Sequence, residues 1–327
     1  MRIIVDAFGG DNAPLEIIKG CELAVKAHDV DILLVGKEET IRKVAAENKI
    51  SLDRMEILDA PDVIAMEDHP NLIRTEKKNC SLAVAMRALA EGKGDGFVGA
   101  GNTGATLFGA TTIVGRIKGV KRPALAPVMP KMEGKFILCD SGANADCRPE
   151  MLVQFGKMAS IYAERVLGVN NPRVGLANVG TEDTKGDALR TETFPLMKES
   201  GLNFIGNIEA RDIPYDACDV VVADGFTGNV ILKLYEGVAG ALIKKIKGVL
   251  TASGKNKIAA LMIKKDMKKM AKQLDHNEQG GAPFLGVVKP VFKAHGSSQA
   301  KTVSNAIGQV KAFVTAGVIE AIAESVK

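Results

Sequence analysis

The sequence predicts an α/β fold: a mainly parallel sheet covered by helices on both faces. Three observations predict it. Short β-branched runs alternate with longer helical patterns along the whole chain. Most of those runs are apolar throughout, as in strands buried on both faces, rather than alternating. The 327 residues are 46% hydrophobic and 25% charged, which supplies a sizeable core and argues against disorder.

The elements follow in order. Strands are expected at 3–6, 32–35, 55–58, 96–98, 124–129, 136–140, 173–177, 203–205 and 220–223, each bounded by Gly, Asp, Asn or Pro. Helices are expected at 14–28, 39–48, 80–91, 103–117, 149–167, 185–199, 227–250, 256–274 and 299–325. No linker-like composition divides residues 1–327, so one catalytic α/β unit, at most bilobal, is expected. The start, MRIIVDAFGG, is not a signal peptide, because Asp6 and Gly9-Gly10-Asp11 interrupt its apolar run. No stretch reaches the roughly 18 apolar residues that span a bilayer. Cys21, Cys80, Cys139, Cys147 and Cys218 are odd in number and form no CxxC pair, so reduced, mostly buried thiols are expected in a cytoplasmic protein.

In open parallel sheets ligands bind beyond the carboxyl ends of the strands, near helix N-termini. Six strand-to-helix segments share a composition suited to that place: Asp6-Ala-Phe-Gly9-Gly10-Asp11-Asn12, Gly99-Ala-Gly101-Asn102-Thr103-Gly104, Asp140-Ser-Gly-Ala-Asn144, Gly180-Thr181-Glu-Asp-Thr-Lys185-Gly186, Asp224-Gly-Phe-Thr227-Gly228-Asn229, and His295-Gly-Ser297-Ser298. Glycine lets backbone amides approach an anion, Asn, Thr and Ser add neutral hydrogen bonds, and Lys185 adds a mobile cation. The same residues also serve as ordinary turns and caps, and any one loop alone would be read so.

Two GxGxxG matches begin at Gly94 and Gly99. The first overlaps a predicted strand. The second is placed between strand and helix, but no acidic residue lies between Asp95 and Glu133 to hold a ribose. A phosphate or oxyanion cradle is therefore favoured over a dinucleotide site. There is no GxxxxGK[ST], no GxSxG and no HExxH, and no metal or other cofactor is expected. Of His28, His69, His276 and His295, only His295 lies in a candidate loop.

Residues 241–275 carry ten Lys and two Asp, a local charge of +8, so the formal +4 of the whole chain hides −4 on the other 292 residues. Two helices separated at Ser253-Gly254 form a basic, amphipathic hairpin. Ala260, Ile263, Met267, Met270 and Leu274 share one helical face, and Lys264, Lys265, Lys268, Lys269 and Lys272 the other. A solvated face and a membrane-surface helix are both open readings, with Leu250, Ile258, Leu261, Ile263, Met267, Lys264 and Lys268 as the membrane contacts. Nucleic acid is disfavoured by the absence of aromatic residues and Arg there.

The chain resembles the bacterial phosphate acyltransferases of phospholipid synthesis, the PlsX family. The resemblance rests on VDAFGGDNAP (5–14), GAGNTGA (99–105), DSGAN (140–144), NVGTEDTKG (178–186), ADGFTGNVILK (223–233), GGAPFLGV (280–287) and HGSS (295–298). Phe8 and Ser141 stand where the family pattern has Met and Val. The resemblance implies a fold like those of phosphotransacetylases and isocitrate or isopropylmalate dehydrogenases, and a homodimer. It implies transfer of a long fatty acyl group from acyl carrier protein to inorganic phosphate. The acyl phosphate would pass to a membrane glycerol-3-phosphate acyltransferase, with the protein peripherally bound to the membrane. Expected catalytic residues are Lys185, Asn229, Asp224, His295 and Asn144. Asp6, Gly9, Gly10, Asp11, Gly101, Asn102, Thr103, Gly104, Thr181, Thr227, Gly228 and Ser297 are the expected phosphate or substrate contacts. The rival readings are an NAD(P)-dependent hydroxyacid dehydrogenase on the same fold and a non-catalytic membrane-surface scaffold.

Overall fold

The computed structural model describes residues 1–274 and 280–326, with backbone only over 271–274. Asp275 and His276 lie outside the described residues, as do the side chains of Lys272 and Leu274. The described chain runs β1 (Arg2–Asp6), α1 (Leu15–His28), β2 (Asp31–Gly36), α2 (Glu38–Glu47), β3 (Met55–Asp59), α3 (Ser81–Ala90), β4 (Gly96–Gly99), α4 (Thr103–Gly109), β5 (Ala124–Leu125), β6 (Val128–Pro130), β7 (Lys135–Cys139), α5 (Pro149–Leu167), β8 (Val174–Asn178), α6 (Ala188–Lys198), β9 (Phe204–Glu209), β10 (Val220–Val222), α7 (Gly225–Thr251), α8 (Gly254–Leu274), β11 (Gly281–Leu285), β12 (Val291–Ala294), α9 (Ala300–Thr315) and α10 (Val318–Ser325).

Two sheets form, not one. Seven strands pair in the order β3-β2-β1-β4-β12-β11-β5, and five in the order β6-β7-β10-β8-β9. Both are mainly parallel; β11 is antiparallel to both neighbours, and β6 to β7. β1, inside the first sheet, places Ile3 opposite both Ile32 and Gly96, and Ile3, Ile4 and Val5 are buried. In the second sheet Val220 faces Ile137 and Val174. Such doubly covered strands must be apolar along both faces, which is why the runs do not alternate.

Three differences from the sequence reading have local causes. The run 124–129 is two strands, because Pro127 cannot continue a ladder; Ala124–Leu125 pairs in the first sheet and Val128–Pro130 in the second, so the chain crosses between them here. β11 and β12 were not expected, since Pro283, Pro290 and Lys293 interrupt their apolar pattern. The last helix bends at Gly317, whose φ of 63° leaves the right-handed helical region. The five cysteines are free, four of them buried. His28 is a packing residue: its ring lies 2.7 Å from where a Cβ on Gly308 would stand, between α1 and α9.

No single described helix is long and apolar enough to cross a membrane. α9 and α10 qualify only as a pair bent by 53°, and Val303, Ile307, Val310, Phe313 and Ile322 bury their apolar faces in the core.

The amino ends of the second sheet are clipped by charge. Arg173 donates to both oxygens of Asp219 at 3.1 Å, Lys131 adds a bond of 3.0 Å, and both cations also meet Asp216. Burial works to raise the Asp219 carboxyl, but the Arg173 guanidinium and amide and the Lys131 ammonium outweigh it and bring it to about 2. A depressed folded pKa contributes stability that is present above the unfolded value of about 3.9 and is lost as pH falls through the folded one. Asp219→Asn is therefore expected to cost up to about 2 kcal/mol at pH 7, less because Arg173 is partly exposed. Urea midpoints should show the gap to wild type closing between about pH 4 and pH 2; a gap constant with pH would assign the effect to packing.

Candidate functional site

Three loops leave the carboxyl ends of the first sheet and interlock through glycine. A Cβ on Gly9 would stand 2.6 Å from the Gly101 nitrogen, so these two backbones touch. Gly10 has φ 101°, and the Asp11 amide donates to the Gly296 carbonyl at 2.8 Å. Asn12 donates to the carbonyls of Ser297 and Ser298 at 3.0 and 3.3 Å. Asp6 is buried beneath them and accepts from the Phe8 amide; burial raises its carboxyl against the pull of the Phe8 and Gly9 amides and the Lys293 ammonium.

The second sheet contributes two loops built around buried carboxylates. Asp140 accepts from the amides of Leu125, Gly142, Ala143 and Asn144 and from the Asn144 side chain. Asp224 caps α7 through the Thr227 amide at 3.0 Å and pairs closely with Arg190, which also donates to Thr227 Oγ1 at 2.8 Å and Asp187 at 2.9 Å. Burial raises the Asp224 carboxyl, but Thr227 and Arg190 more than offset that and hold it low. α7 starts against the 140–144 loop, where a Cβ on Gly228 would overlap the Asp140 carbonyl at 1.8 Å.

Between the two sheets lies a cavity of about 320 Å³. Thr103, Lys293, Ala294 and His295 face it from the first sheet's side. Ser141, Gly142, Asn229, Leu232, Lys233 and Glu236 face it from the second. The Asn229 amide has no protein partner among the described residues and abuts the Gly142 position at 3.6 Å. His295 Nδ1 lies 2.8 Å from Ser297 Oγ. A second cavity, about 480 Å³, lies across the first turns of α7, lined by Asn178, Asp187, Arg190, Phe226, Thr227 and Val230 among others. Among the described residues no cluster of three or more His, Cys, Asp or Glu is arranged to hold a metal.

A family described as "Fatty acid synthesis protein" matches residues 1–321. A phosphate acyltransferase of Desulfitobacterium hafniense (strain Y51) is 48% identical over 98% of this chain and 96% of its own. Another from Thermoanaerobacter pseudethanolicus is 45% identical over 100% and 98%. The chain belongs to the phosphate acyltransferase family. Its activity is that of an acyltransferase acting on phosphate. A phosphotransacetylase, EutD, from Staphylococcus aureus has the same fold, with a TM-score of 0.64 at 14% identity over 96% of this chain and 94% of that one.

In this phosphate acyltransferase the expected site residues separate into groups. Asn229, Thr103 and His295 meet at the cavity between the sheets. Ser297 adjoins His295. Gly9, Gly10, Gly101 and Asp11 form the interlocked loops beside it. Gly104 packs on Pro70 and Gly228 on Asp140, so both serve close contact. Three polar residues are otherwise engaged. Asn102 caps α4 and gives its amide hydrogens to the carbonyls of Ala65, Met66 and Asp68. Asn144 gives both of its own to Pro123 and Asp140. Asp224 is held by Arg190. These hold loops in place instead of offering a donor to substrate. Lys185 and Thr181 are exposed on the loop after β8, outside the first cavity's lining; Lys185 has a long ion pair of 3.9 Å to Glu182. Thr227 lines the second cavity.

Four residues stand outside the expected site residues: Asp140, Arg190, Lys233 and Lys293. Asp140 and Arg190 carry no signal apart from tertiary contacts. Lys293 does: a lysine inside the apolar run 290–294 marks either an error in the strand or a buried cation.

The hairpin is present as α7 and α8. Met267 and Leu250 are half-buried, and Ile263 is 42% exposed. The outward apolar residues are Ile258, Leu261 and Met262, which are 65, 68 and 82% exposed. Of the apolar face that periodicity identifies, Ala260, Met267 and Met270 are half-buried and Ile263 is exposed.

Proposed function

We infer that the protein transfers a long-chain fatty acyl group from acyl carrier protein to inorganic phosphate, releasing the carrier thiol and an acyl phosphate for phosphatidic acid synthesis. The observation that carries the reading is the cavity between the sheets, where the unpaired Asn229 amide faces Thr103 and His295. A phosphate oxygen attacks the thioester carbonyl, the C–O bond forms, and the carbonyl oxygen gains charge; its collapse breaks the C–S bond and expels the carrier thiolate, which takes a proton from solvent to leave as the thiol. Asn229, beside the N-terminal turn of α7, is placed to donate to that oxygen. Thr103 and His295 orient the phosphate, and the fixed geometry of the loops supplies proximity. Lys185 is an exposed, loosely paired cation that meets the incoming anionic substrate.

The decisive assay is formation of acyl phosphate from purified protein, acyl-carrier-protein thioester and phosphate; no phosphate-dependent loss of thioester would sink the reading. Asn229→Ala is expected to lower kcat about 10²-fold with an unchanged melting temperature, as for loss of one oxyanion donor. An unchanged kcat would remove Asn229 from the chemistry.

The partners follow from surface chemistry. The lysine-rich hairpin suits both an acidic carrier protein and an anionic leaflet, which supports a cytoplasmic protein working at the membrane surface beside a glycerol-3-phosphate acyltransferase. Ile258→Glu/Leu261→Glu is expected to weaken binding to anionic vesicles at least tenfold in flotation, with soluble activity retained; undiminished flotation would detach the hairpin from lipid. Phe226, Val230, Leu234 and Val238 leave an apolar stripe exposed along α7, which a second copy of the chain would cover in a homodimer.

A further inference from the structure

Lys293 is 8% exposed, yet it makes no ion pair among the described residues. Its ammonium donates to the Ala100 carbonyl at 3.1 Å and to the Ala294 carbonyl. An ammonium has three hydrogens. Two are accounted for by these carbonyls, and Lys293 lines the cavity between the sheets. A buried cation without a counter-ion is unfavourable unless something supplies one. Asp6 and Asp11 are the nearest acids of its own sheet, but neither lines the cavity. Across the cavity stands a second cation, Lys233 of α7, half-exposed and paired with Glu236 at 3.2 Å. The Lys233 charge acts against the Lys293 ammonium.

We propose that Lys293 and Lys233 grip the acceptor phosphate from opposite sides of the cavity, with Lys293 as the main contact and the Thr103 hydroxyl beside it. This rests on the reading that the cavity is the acyl-transfer site, and it names the residues that hold the acceptor. The anion supplies the counter-charge that Lys293 lacks and relieves the repulsion between the two lysines. Because Lys233 lies on the second sheet's side and Lys293 on the first, phosphate would also tie the two walls of the cavity together. Burial, and after it Lys233, lowers the Lys293 ammonium to about 8, while Asp11 and Asp6 act the other way. Glu236 and His295 are the other titratable groups facing the cavity.

Inorganic phosphate binding, measured by calorimetry, tests this without any acyl donor. Lys293→Met is expected to raise the phosphate Kd at least tenfold, with no loss of melting temperature in phosphate-free buffer. Lys233→Met is expected to raise it about threefold. In turnover, Lys293→Met should raise KM for phosphate at least tenfold and leave KM for the thioester within twofold. A lysine that merely filled space would move neither constant selectively. If Lys293→Met does not fold, the wild-type protein still decides: above pH about 8, where phosphate is already mostly dianionic, Kd should rise toward tenfold per pH unit. Phosphate affinity that is unchanged in Lys293→Met, or flat in the wild type to pH 10, overturns the proposal. Phosphate binding that depends on Lys293 without any acyl phosphate formed would leave this inference standing and remove the acyl-transfer reading.

Discussion

Asp140→Ala is expected to destabilise the protein by about 4 kcal/mol and to reduce kcat/KM at least 10²-fold. The carboxylate is fully buried and receives four backbone amides and one side-chain amide, at 2.6 to 3.3 Å. Removing it leaves these donors without a partner, at about 1–3 kcal/mol for each that water cannot reach. Water will reach some, since Gly142 is exposed and Ala143 and Asn144 are only half-buried. The activity loss follows from position. Ser141 and Gly142 line the cavity, and Gly142 abuts Asn229. A loop that drifts by 1 Å displaces the proposed oxyanion donor with it. Asp140→Asn keeps the shape but replaces one acceptor oxygen with a donor, so an intermediate cost of about 2 kcal/mol is expected. Calorimetric melting and single-turnover rates on the two variants check this. Wild-type melting in Asp140→Ala would mean that the loop holds itself.

Asp140 also shows where legibility in the sequence ends. The motif DSGAN was readable as a strand-to-helix loop, and a polar residue in it was expected to act on substrate. Asn144 is the residue of this motif expected to be catalytic, since its side-chain amide can donate to an oxyanion. The fold uses it otherwise: both amide hydrogens go to Pro123 and Asp140. Nothing local distinguishes a donor that faces a ligand from one that faces a loop. The same ambiguity affected Asn102, which bridges to 65–68, a segment more than 30 residues away in sequence. Strand pattern was legible where strands are apolar on both faces, as in Ile3–Val5. It failed at β11 and β12, where proline and a buried lysine break the pattern, and those strands carry Lys293. The division into two sheets was hidden for a related reason. It depends on Pro127 sending two halves of one apolar run to different partners. Family membership needed none of this, because the loop motifs are long and ordered and survive any uncertainty about roles.

Arg190→Met is expected to cost about 3–5 kcal/mol, the range for removing one partner of a buried ion pair. Arg190 links two helix starts. Its guanidinium holds Asp187, which caps α6, and Asp224 and Thr227, which open α7. Each acid already gains from the positive end of its helix, so the arginine neutralises two charges fixed there for capping. Methionine fills the space but leaves Asp224 buried with only its capping bond. Its carboxyl should then rise from its depressed value, since burial is the largest influence on it and no cation opposes it. The sign follows. In the wild type this carboxylate contributes stability above its unfolded pKa of about 3.9 and loses it as pH falls through the lower folded value. In Arg190→Met the raised carboxyl makes acid less harmful, so the gap in unfolding free energy should narrow from pH 7 toward pH 4. Adding Asp224→Asn should recover part of the loss, because an uncharged amide still caps Thr227 and no longer leaves a charge buried. A double variant no better than Arg190→Met would place the cost in packing around the guanidinium. Activity should fall in parallel, since the first turns of α7 carry Asn229 on one side and wall the second cavity on the other. The arginine touches no cavity occupant in the proposed reaction, so its loss should lower the folded, active fraction and leave KM for phosphate unchanged, the opposite of the pattern expected for Lys293.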